Sequence, residues 1–198
     1  MRVPSDDEIR ALHAEHSPTP EAFDLVYTHC TIVSAIALEL LSRAPAGIDA
    51  DLVRAGSLLH DIGVYRLYDR SGRLDYPRYV RHGILGRDLL AEQGYADALG
   101  RICSCHTGMG LTREDVRIQD LPIPQDDYLA ESPEEELVMF ADKFHSKSRP
   151  DTLVSPATVA ERMGRFGEDK ELRFKSLLTK FGEPDLRSLQ ESHGYELD

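Results

Sequence analysis

The sequence contains no tryptophan and only three cysteines, and aromatic residues make up 7% of its 198 positions. An odd number of cysteines, with no secretory leader visible, argues against a disulfide framework. Cys103 and Cys105 lie close to His106, but residues i and i+2 of a helix point in different directions. No second Cys/His pair has the spacing of a zinc finger. A thiolate zinc site is therefore disfavoured.

Positive charge is also scarce. The chain has 23 Lys and Arg against 35 Asp and Glu, which gives a formal net charge of −12. This charge repels phosphate polymers and argues against binding to DNA or RNA. Ser34 and Glu39 interrupt the richest apolar stretch, 31–41, so no membrane span is predicted. We therefore expect a cytoplasmic protein that binds neither a nucleic-acid polymer nor a membrane.

Helix signals cover most of the chain. Ser5, Thr19 and Ser132 each precede a stretch with helical apolar spacing and can act as N-caps. Gly63 follows another such stretch and is predicted to cap it in the left-handed conformation. No strand-like alternation of useful length is present, so the predicted fold is all-α. The main predicted helices cover 6–16, 20–43, 51–62, 77–93, 96–106 and 133–146.

The chain changes character after Pro150, where charged helical stretches begin. We predict one domain over 1–150 and a C-terminal helical extension over 151–198 that packs on the same domain. The apolar residues of the extension could pack on the bundle or form a homodimer interface. The terminal histidines, His13, His16 and His193, lie among charged residues and are predicted to be at the surface.

A set of histidines and aspartates falls on helix faces that are otherwise apolar. Burying such a group without a partner costs a few kcal/mol. One of them alone would be explained as a hydrogen-bonded core residue. Imidazoles and carboxylates that converge in one helical bundle are typical of a divalent-metal site. The set is His29, His60, Asp61, His82, His106 and Asp142.

Part of this set resembles the signature of the HD-domain superfamily, H…HD…D. The matching residues are His29, the His60-Asp61 doublet and Asp142, in the flanking strings 58–63 and 141–143. Over about 25–148 the chain is similar to stand-alone HD phosphohydrolases. The resemblance implies an HD-domain helical bundle and a metal-dependent phosphohydrolase.

His82 and His106 resemble the additional ligands of the dinuclear branch of that superfamily. This branch includes HD-domain diadenosine-tetraphosphate hydrolases and cyclic-di-GMP phosphodiesterases; the chain lacks the Gly-Tyr-Pro element of the latter. The resemblance implies two divalent transition metals, with iron or manganese favoured and zinc, nickel or cobalt possible. It also implies that His29, His60, Asp61 and Asp142 hold the first metal, and that Asp61 bridges to a second metal held by His82 and His106.

The implied reaction is cleavage of a phosphate ester or anhydride in a small molecule, with a nucleotide favoured. A hydroxide that bridges the metals is the expected nucleophile. Asp61 is predicted to orient it, and Lys143 to bind the phosphate. The residues considered for substrate binding are Arg66, Arg87, Lys143, His145 and Lys147. For Arg66, Arg87 and Lys147 the alternative is an ordinary solvated side chain.

Two other functions fit the same ligand order. Some HD-domain proteins with six ligands are mixed-valence di-iron oxygenases, similar to myo-inositol oxygenase. A non-catalytic protein that binds a nucleotide and signals through its C-terminal helices is the third hypothesis.

Overall fold

The computed structural model describes residues 2–198, and for residues 192 and 193 only the backbone. Most of this range is helical, which confirms the all-α prediction. The α-helices are α1 (Asp6–His16), α2 (Pro20–Leu41), α3 (Ala50–Leu59), α4 (His82–Glu92), α5 (Asp97–Cys105), α6 (Arg113–Ile118), α7 (Pro133–Ala141), α8 (Pro156–Gly164), α9 (Glu168–Phe181) and α10 (Leu186–His193). Short 3-10 helices cover Ile62–Leu67, Tyr76–Arg81 and Asp142–Phe144.

Helix α2 lies at the centre of the bundle. The Thr19 side chain accepts a hydrogen bond from the Ala22 amide, and Pro20 occupies the first turn, so the helix begins where the sequence predicts. Its apolar face packs against α3 and α7, while α4 packs against α5 and the first 3-10 helix. The functional candidate His29 lies on this buried face.

By length and composition alone, α2 could cross a membrane, because its richest window has a mean hydropathy of 1.4. The core helix of a bundle can have the same length and composition, so the absence of a membrane span stays a prediction. Half of that window is buried inside the protein. Packing in the core accounts for such a composition, since the central helices of bundles are apolar over much of their surface.

Gly63 does not cap a helix in the left-handed conformation, contrary to the sequence prediction. Helix α3 ends at Leu59, and Gly63 lies within the first 3-10 helix. A Cβ atom at Gly63 would overlap the His82 carbonyl oxygen and the Gly86 amide nitrogen. At Gly83 a Cβ would lie 2.6 Å from the Cys103 carbonyl oxygen. Glycine is therefore required for close approach between segments, which brings the chain after α3 against α4, and α4 against α5.

A small sheet replaces the predicted end of α7. The helix stops at Ala141 rather than near 146 and is followed by the strands β1 (His145–Ser146) and β2 (Arg149–Leu153). They pair antiparallel, with His145 opposite Leu153. Strand β3 (Glu196–Leu197) pairs parallel with β2. These strands are too short to produce a readable alternation, which explains why the sequence did not reveal them.

The chain after residue 150 contributes to the same apolar core as the bundle. Phe174 and Phe181 of α9 are buried, with ring centroids 5.4 Å and 6.0 Å from that of Phe140 in α7. Phe166, in contrast, is 67% exposed. The packing agrees with an extension that folds onto the bundle; the domain boundary near residue 150 stays a prediction.

His13 is fully buried, contrary to the predicted surface position; the side chain of His193 lies outside the described residues. The Nε2–H of His13 donates to the Leu58 carbonyl oxygen over 2.8 Å. This leaves Nδ1 to accept from the Tyr65 hydroxyl over 2.9 Å. Burial lowers the pKa of His13 to about 4. The residue thus links α1 to the end of α3, just before the His60-Asp61 doublet.

The pH dependence of stability tests this environment. The unfolded chain protonates His13 near pH 6.5, whereas the folded chain resists protonation until about pH 4. Stability is therefore lost as the pH falls through this window. Relative to His13→Gln, the wild type should lose up to about 3 kcal/mol more of its free energy of unfolding between pH 6.5 and pH 4. Denaturant titrations of both proteins at several pH values measure the difference, and parallel curves would contradict the buried neutral state.

Candidate metal centre

The six predicted ligands converge from five segments of the bundle. His29 lies within α2, and His82 is the first residue of α4. The other candidates directly follow helices: the doublet after α3, His106 after α5 and Asp142 after α7. At Asp61 the backbone turns (φ −106°, ψ 7°) into the first 3-10 helix. The helical relation between His60 and Asp61 ends here, so both adjacent side chains can face one centre.

One group of ligand atoms surrounds the Nε2 atom of His29. It lies 3.2 Å from His60 Nε2, 3.0 Å from Asp142 Oδ1 and 3.3 Å from Asp61 Oδ2. His60 Nε2 lies 3.4 Å from Asp142 Oδ1 and 3.5 Å from Asp61 Oδ2. Two nitrogen and two oxygen atoms therefore form one compact group.

A second group lies on the other oxygen of the same carboxylate. Asp61 Oδ1 is 3.4 Å from His82 Nε2 and 3.5 Å from His106 Nε2, and these nitrogens are 3.0 Å apart. Asp61 Oδ1 is buried and has no hydrogen-bond partner among the described residues. A buried carboxylate oxygen without a partner is costly, which indicates that something absent from the polypeptide satisfies it.

These distances fit the edges of metal coordination polyhedra. A metal with bonds of about 2.1 Å has neighbouring ligand atoms about 3.0–3.4 Å apart in octahedral or tetrahedral geometry. The donors are imidazole nitrogen and carboxylate oxygen, a mixture that suits iron, zinc, nickel and manganese better than magnesium. The residues present therefore fit two divalent transition metals, with Asp61 between them.

Hydrogen bonds to the backbone fix the tautomers of three histidines. The Nδ1 atoms of His60, His82 and His106 lie 2.6, 2.6 and 2.7 Å from the carbonyl oxygens of Ser57, Tyr79 and Cys103. A carbonyl oxygen only accepts, so each Nδ1 carries the proton. In the neutral form of each ring, Nε2 is left with a lone pair directed at the centre. A second hydrogen bond that orients the ring is typical of metal-binding histidines.

His29 reaches a different partner. Its Nδ1 lies 2.8 Å from Nδ1 of His145, and the Nε2 of His145 lies 2.8 Å from the Pro150 carbonyl oxygen. His145 is buried. Both of its ring nitrogens are therefore engaged within the protein, and the contact of His145 with substrate stays a prediction.

The electrostatics of the site suit cation binding at neutral pH. Burial lowers the pKa of His29 and His82 to about 3 and also lowers that of His106 and His145. Burial by itself would raise the pKa of Asp61, but the Lys147 ammonium and His60 lower it well below its ordinary value. These four imidazoles are therefore neutral, and Asp61 is charged. His60 differs: burial alone would lower its pKa, but Cys30 and Asp61 raise it well above its ordinary value, so a metal ion bound here would displace a proton from His60.

Comparison with known families identifies the fold. The model of the HD domain matches residues 26–147, which is more than half of the chain. The chain belongs to the HD-domain family. The match contains every ligand candidate, from His29 to Asp142.

Three curated relatives align with this HD domain. A protein of Methanocaldococcus jannaschii of uncharacterized function is 36% identical over 60% of this chain and 65% of the relative. A protein of Picrophilus torridus named tRNA (cytidine(56)-2'-O)-methyltransferase is 33% identical over 74% of this chain and 38% of its own length. A Thermoplasma volcanium protein of the same name is 31% identical over 62% of this chain and 32% of its own length. The chain thus spans between one third and two thirds of the length of these relatives.

Solved structures support the same fold. The HD domain of the L. monocytogenes phosphodiesterase PgpH superposes with a TM-score of 0.52 at 16% identity, covering 96% of this chain and 88% of that one. The same domain in complex with cyclic-di-AMP superposes with a TM-score of 0.55 at 15% identity, covering 96% of this chain and 99% of that one. The likeness extends over residues beyond 150, so the C-terminal elements follow the fold of that domain as well.

Two lysines approach the ligands of the HD domain in different ways. The Lys143 ammonium donates to Asp142 Oδ2 over 2.6 Å and to the His106 carbonyl oxygen over 3.0 Å. The Lys147 ammonium pairs with Asp61 Oδ2. Lys147 lines a cavity beside the ligands, and Lys143 does not. Both partners of Lys143 belong to the ligand segments, so the geometry favours a role in holding Asp142 over the predicted contact with phosphate.

The predicted substrate contacts of Arg66 and Arg87 lack structural support. Arg66 forms an ion pair with Glu92, and Arg87 one with Asp97, with Nη2 and Oδ1 2.9 Å apart. Neither arginine lines the cavity beside the ligands. The geometry therefore favours surface ion pairs for both.

The cavity beside the ligands has a volume of about 400 Å³. Apolar and tyrosine side chains form one part of its wall, and polar groups form the other. It contains a residue that the sequence reasoning missed, Tyr79, whose buried hydroxyl has no hydrogen-bond partner among the described residues. The cavity is lined by Leu25, His29, Val64, Leu74, Tyr76, Tyr79, Asp142, His145, Ser146, Lys147 and Ser148.

A pair of tyrosine variants tests the free hydroxyl. Tyr79→Phe removes a buried polar atom that lacks a partner, so the free energy of unfolding should stay the same or rise by up to about 1 kcal/mol. The matched control is Tyr65→Phe, which removes the hydrogen bond to His13 and should lower it by about 1–2 kcal/mol. Denaturant unfolding of the metal-free proteins gives both values. A loss for Tyr79→Phe as large as for Tyr65→Phe would mean that the Tyr79 hydroxyl has a partner.

Proposed function

We propose that this HD domain is a metal-dependent phosphohydrolase with two divalent metal ions. The observation that carries the proposal is the Asp61 carboxylate, whose two oxygens face two separate groups of ligand atoms. One carboxylate shared in this way fits a bridge between two cations. The HD-domain family match, which contains all six residues, supports a metal-dependent phosphohydrolase.

The proposed first metal is held by His29, His60, Asp61 and Asp142, and the second by Asp61, His82 and His106. Two divalent cations bound there would lower the pKa of water and neutralise the charge of phosphate oxygens. Iron or manganese is favoured, and zinc, nickel or cobalt is compatible with the donors.

The chain itself contributes orientation, charge and exclusion of water. Asp61 fixes the relative position of the two groups of ligands. Among the described residues, its Oδ1 atom accepts no hydrogen bond that would compete with a metal ion. Lys147 lines the cavity and pairs with Asp61 Oδ2; with a metal bound to that oxygen, its ammonium group would be available to a phosphate oxygen. The Tyr79 hydroxyl is free to donate a hydrogen bond to the same group. We therefore assign phosphate binding to Lys147 and Tyr79 rather than to Lys143.

The proposed substrate is a small phosphorylated molecule, with a nucleotide favoured. The cavity places tyrosine and aliphatic side chains next to a lysine, an arrangement that suits an apolar ring attached to phosphate. The PgpH HD domain in complex with cyclic-di-AMP is consistent with a nucleotide. We propose a cytoplasmic location and a possible homodimer on the grounds given for the sequence.

The relatives named tRNA methyltransferases raise the question of an RNA substrate. The chain covers 38% and 32% of their lengths, so the activity in their names need not belong to the matched part. The net charge of −12 also opposes binding of an RNA polymer. We therefore propose a small molecule rather than tRNA as the substrate.

Metal content tests the dinuclear site. After loading with Mn²⁺ or Fe²⁺ and removal of free metal, the wild type should retain two equivalents by elemental analysis. The double variant His82→Ala with His106→Ala should retain one, because only the second group of ligands is removed. A wild type that reproducibly retains one equivalent would contradict the dinuclear proposal. It would indicate that His82 and His106 bind substrate instead of a metal.

Chromatography of the products tests the reaction, because hydrolysis of a diester or of an anhydride between two nucleosides gives nucleotides rather than free phosphate. Protein loaded with iron, manganese, cobalt or nickel should hydrolyse at least one member of a panel of nucleotide monoesters, cyclic dinucleotides and dinucleoside polyphosphates. Lys147→Met should lower kcat/KM about 10- to 100-fold, the value of a charge-assisted hydrogen bond to phosphate. Lys175→Met is the control, because that exposed lysine pairs with Glu171 and does not line the cavity. Inactivity of every metal form over the whole panel would contradict the proposal.

The donor set also keeps the oxygenase alternative open, since four imidazoles and two carboxylates suit iron. Consumption of oxygen by the reduced iron form, without hydrolysis of any member of the panel, would favour that alternative. Ligand-dependent dimerisation without turnover would favour a nucleotide sensor.

A further inference from the structure

His145 stands apart from the predicted ligands because it contacts one of them through a ring nitrogen. Both rings are buried, and their Nδ1 atoms are 2.8 Å apart. Two nitrogens at this distance must share one proton, since two lone pairs or two N–H groups would repel each other. The question is which ring carries that proton.

The Pro150 carbonyl oxygen decides the direction of this hydrogen bond. It lies 2.8 Å from His145 Nε2 and can only accept, so Nε2 of His145 carries the proton. The neutral ring of His145 then has a lone pair at Nδ1, which accepts from His29 Nδ1–H. His29 is left with its lone pair at Nε2. This is the atom that faces His60, Asp61 and Asp142.

We propose that His145 is a positioning residue that holds His29 in the tautomer able to bind the first metal, an inference that rests on the proposed dinuclear centre. The other three histidines obtain the same orientation from backbone carbonyl oxygens. His29 lies in the middle of α2, where carbonyl oxygens are engaged in the helix. A side chain from another segment therefore takes the role of the carbonyl.

The small sheet holds His145 in place. His145 begins β1 and lies opposite Leu153 of β2, while Pro150 belongs to β2 itself. The Val154 amide donates to the Phe144 carbonyl oxygen over 2.8 Å, next to the pair. Strand β2 lies outside the residues that the family model matches, 26–147. It nevertheless holds in place the residue that orients His29, which lies inside the match.

Imidazole nitrogen NMR tests the proposed tautomers directly. In the Zn²⁺-loaded wild type, long-range ¹H–¹⁵N spectra should show a proton on Nδ1 of His29 and on Nε2 of His145. Assignment uses the spectra of single variants at each histidine. A proton on Nδ1 of His145 would overturn the proposal, whether or not the variants below fold.

Metal affinity tests the consequence. In Co²⁺ titrations followed by calorimetry and by visible absorption, His145→Leu should weaken one of two sites about 10- to 100-fold, the usual effect of losing an outer partner of a ligand. The site of His82 and His106 should change less than about threefold, because its ligands keep their own partners. In His145→Asn the side-chain oxygen can take the position of Nδ1, so this variant should restore most of the affinity.

His13→Leu is the matched control, since it removes an equally buried histidine that does not contact a ligand side chain. It should lower the melting temperature and leave both Co²⁺ affinities unchanged. Equal affinities of His145→Leu and wild type at both sites would overturn the inference, as would a defect in His145→Asn as large as in His145→Leu. A wild type that binds no Co²⁺ would instead refute the dinuclear centre on which the inference rests.

Discussion

The arrangement of the bundle depends on one carboxylate that the protein alone does not satisfy. Asp61 is fully buried, and its Oδ1 atom has no hydrogen-bond partner among the described residues. Around it, imidazole nitrogens with fixed lone pairs lie close together, at 3.0 Å in the case of His82 and His106. Lone pairs and carboxylate oxygens at such distances repel one another unless a cation lies between them. A cation bound here would therefore relieve the repulsion within the core and would also supply the proposed chemistry.

The sequence was sufficient to predict the helical fold and the convergence of the six ligand candidates. Each candidate interrupts an apolar helix face or directly follows a helix, as His106 and Asp142 do. Polar residues on such faces are costly, so their number is informative even without the structure. The distances among the ligand atoms agree with the grouping that the resemblance implied; the metal-binding roles remain proposals.

The partners of the site could not be predicted, because contacts far apart in the sequence determine them. His145 meets His29 across 116 positions, and Tyr79 is informative only because its hydroxyl is both buried and unpartnered. His13 lies among charged residues but points into the core. The sequence makes Arg66 a candidate for phosphate binding, but in the structure Arg66 forms an ion pair with Glu92. Local periodicity identifies which face a residue occupies, but it does not identify what lies opposite that face.

The close approach at Gly63 and Gly83 has a consequence for ionic radius. These contacts join the first 3-10 helix, α4 and α5 with almost no free space, and the segments carry His60, Asp61, His82 and His106. The proposed second ion would therefore have a pocket of nearly fixed size. His29 and Asp142 come from α2 and the end of α7, outside these glycine contacts, and the strands behind His145 complete that side. In the proposed dinuclear centre, adaptation to a larger or smaller ion would then fall mainly to the side of His29 and Asp142, so the two positions would differ in their tolerance of metal exchange.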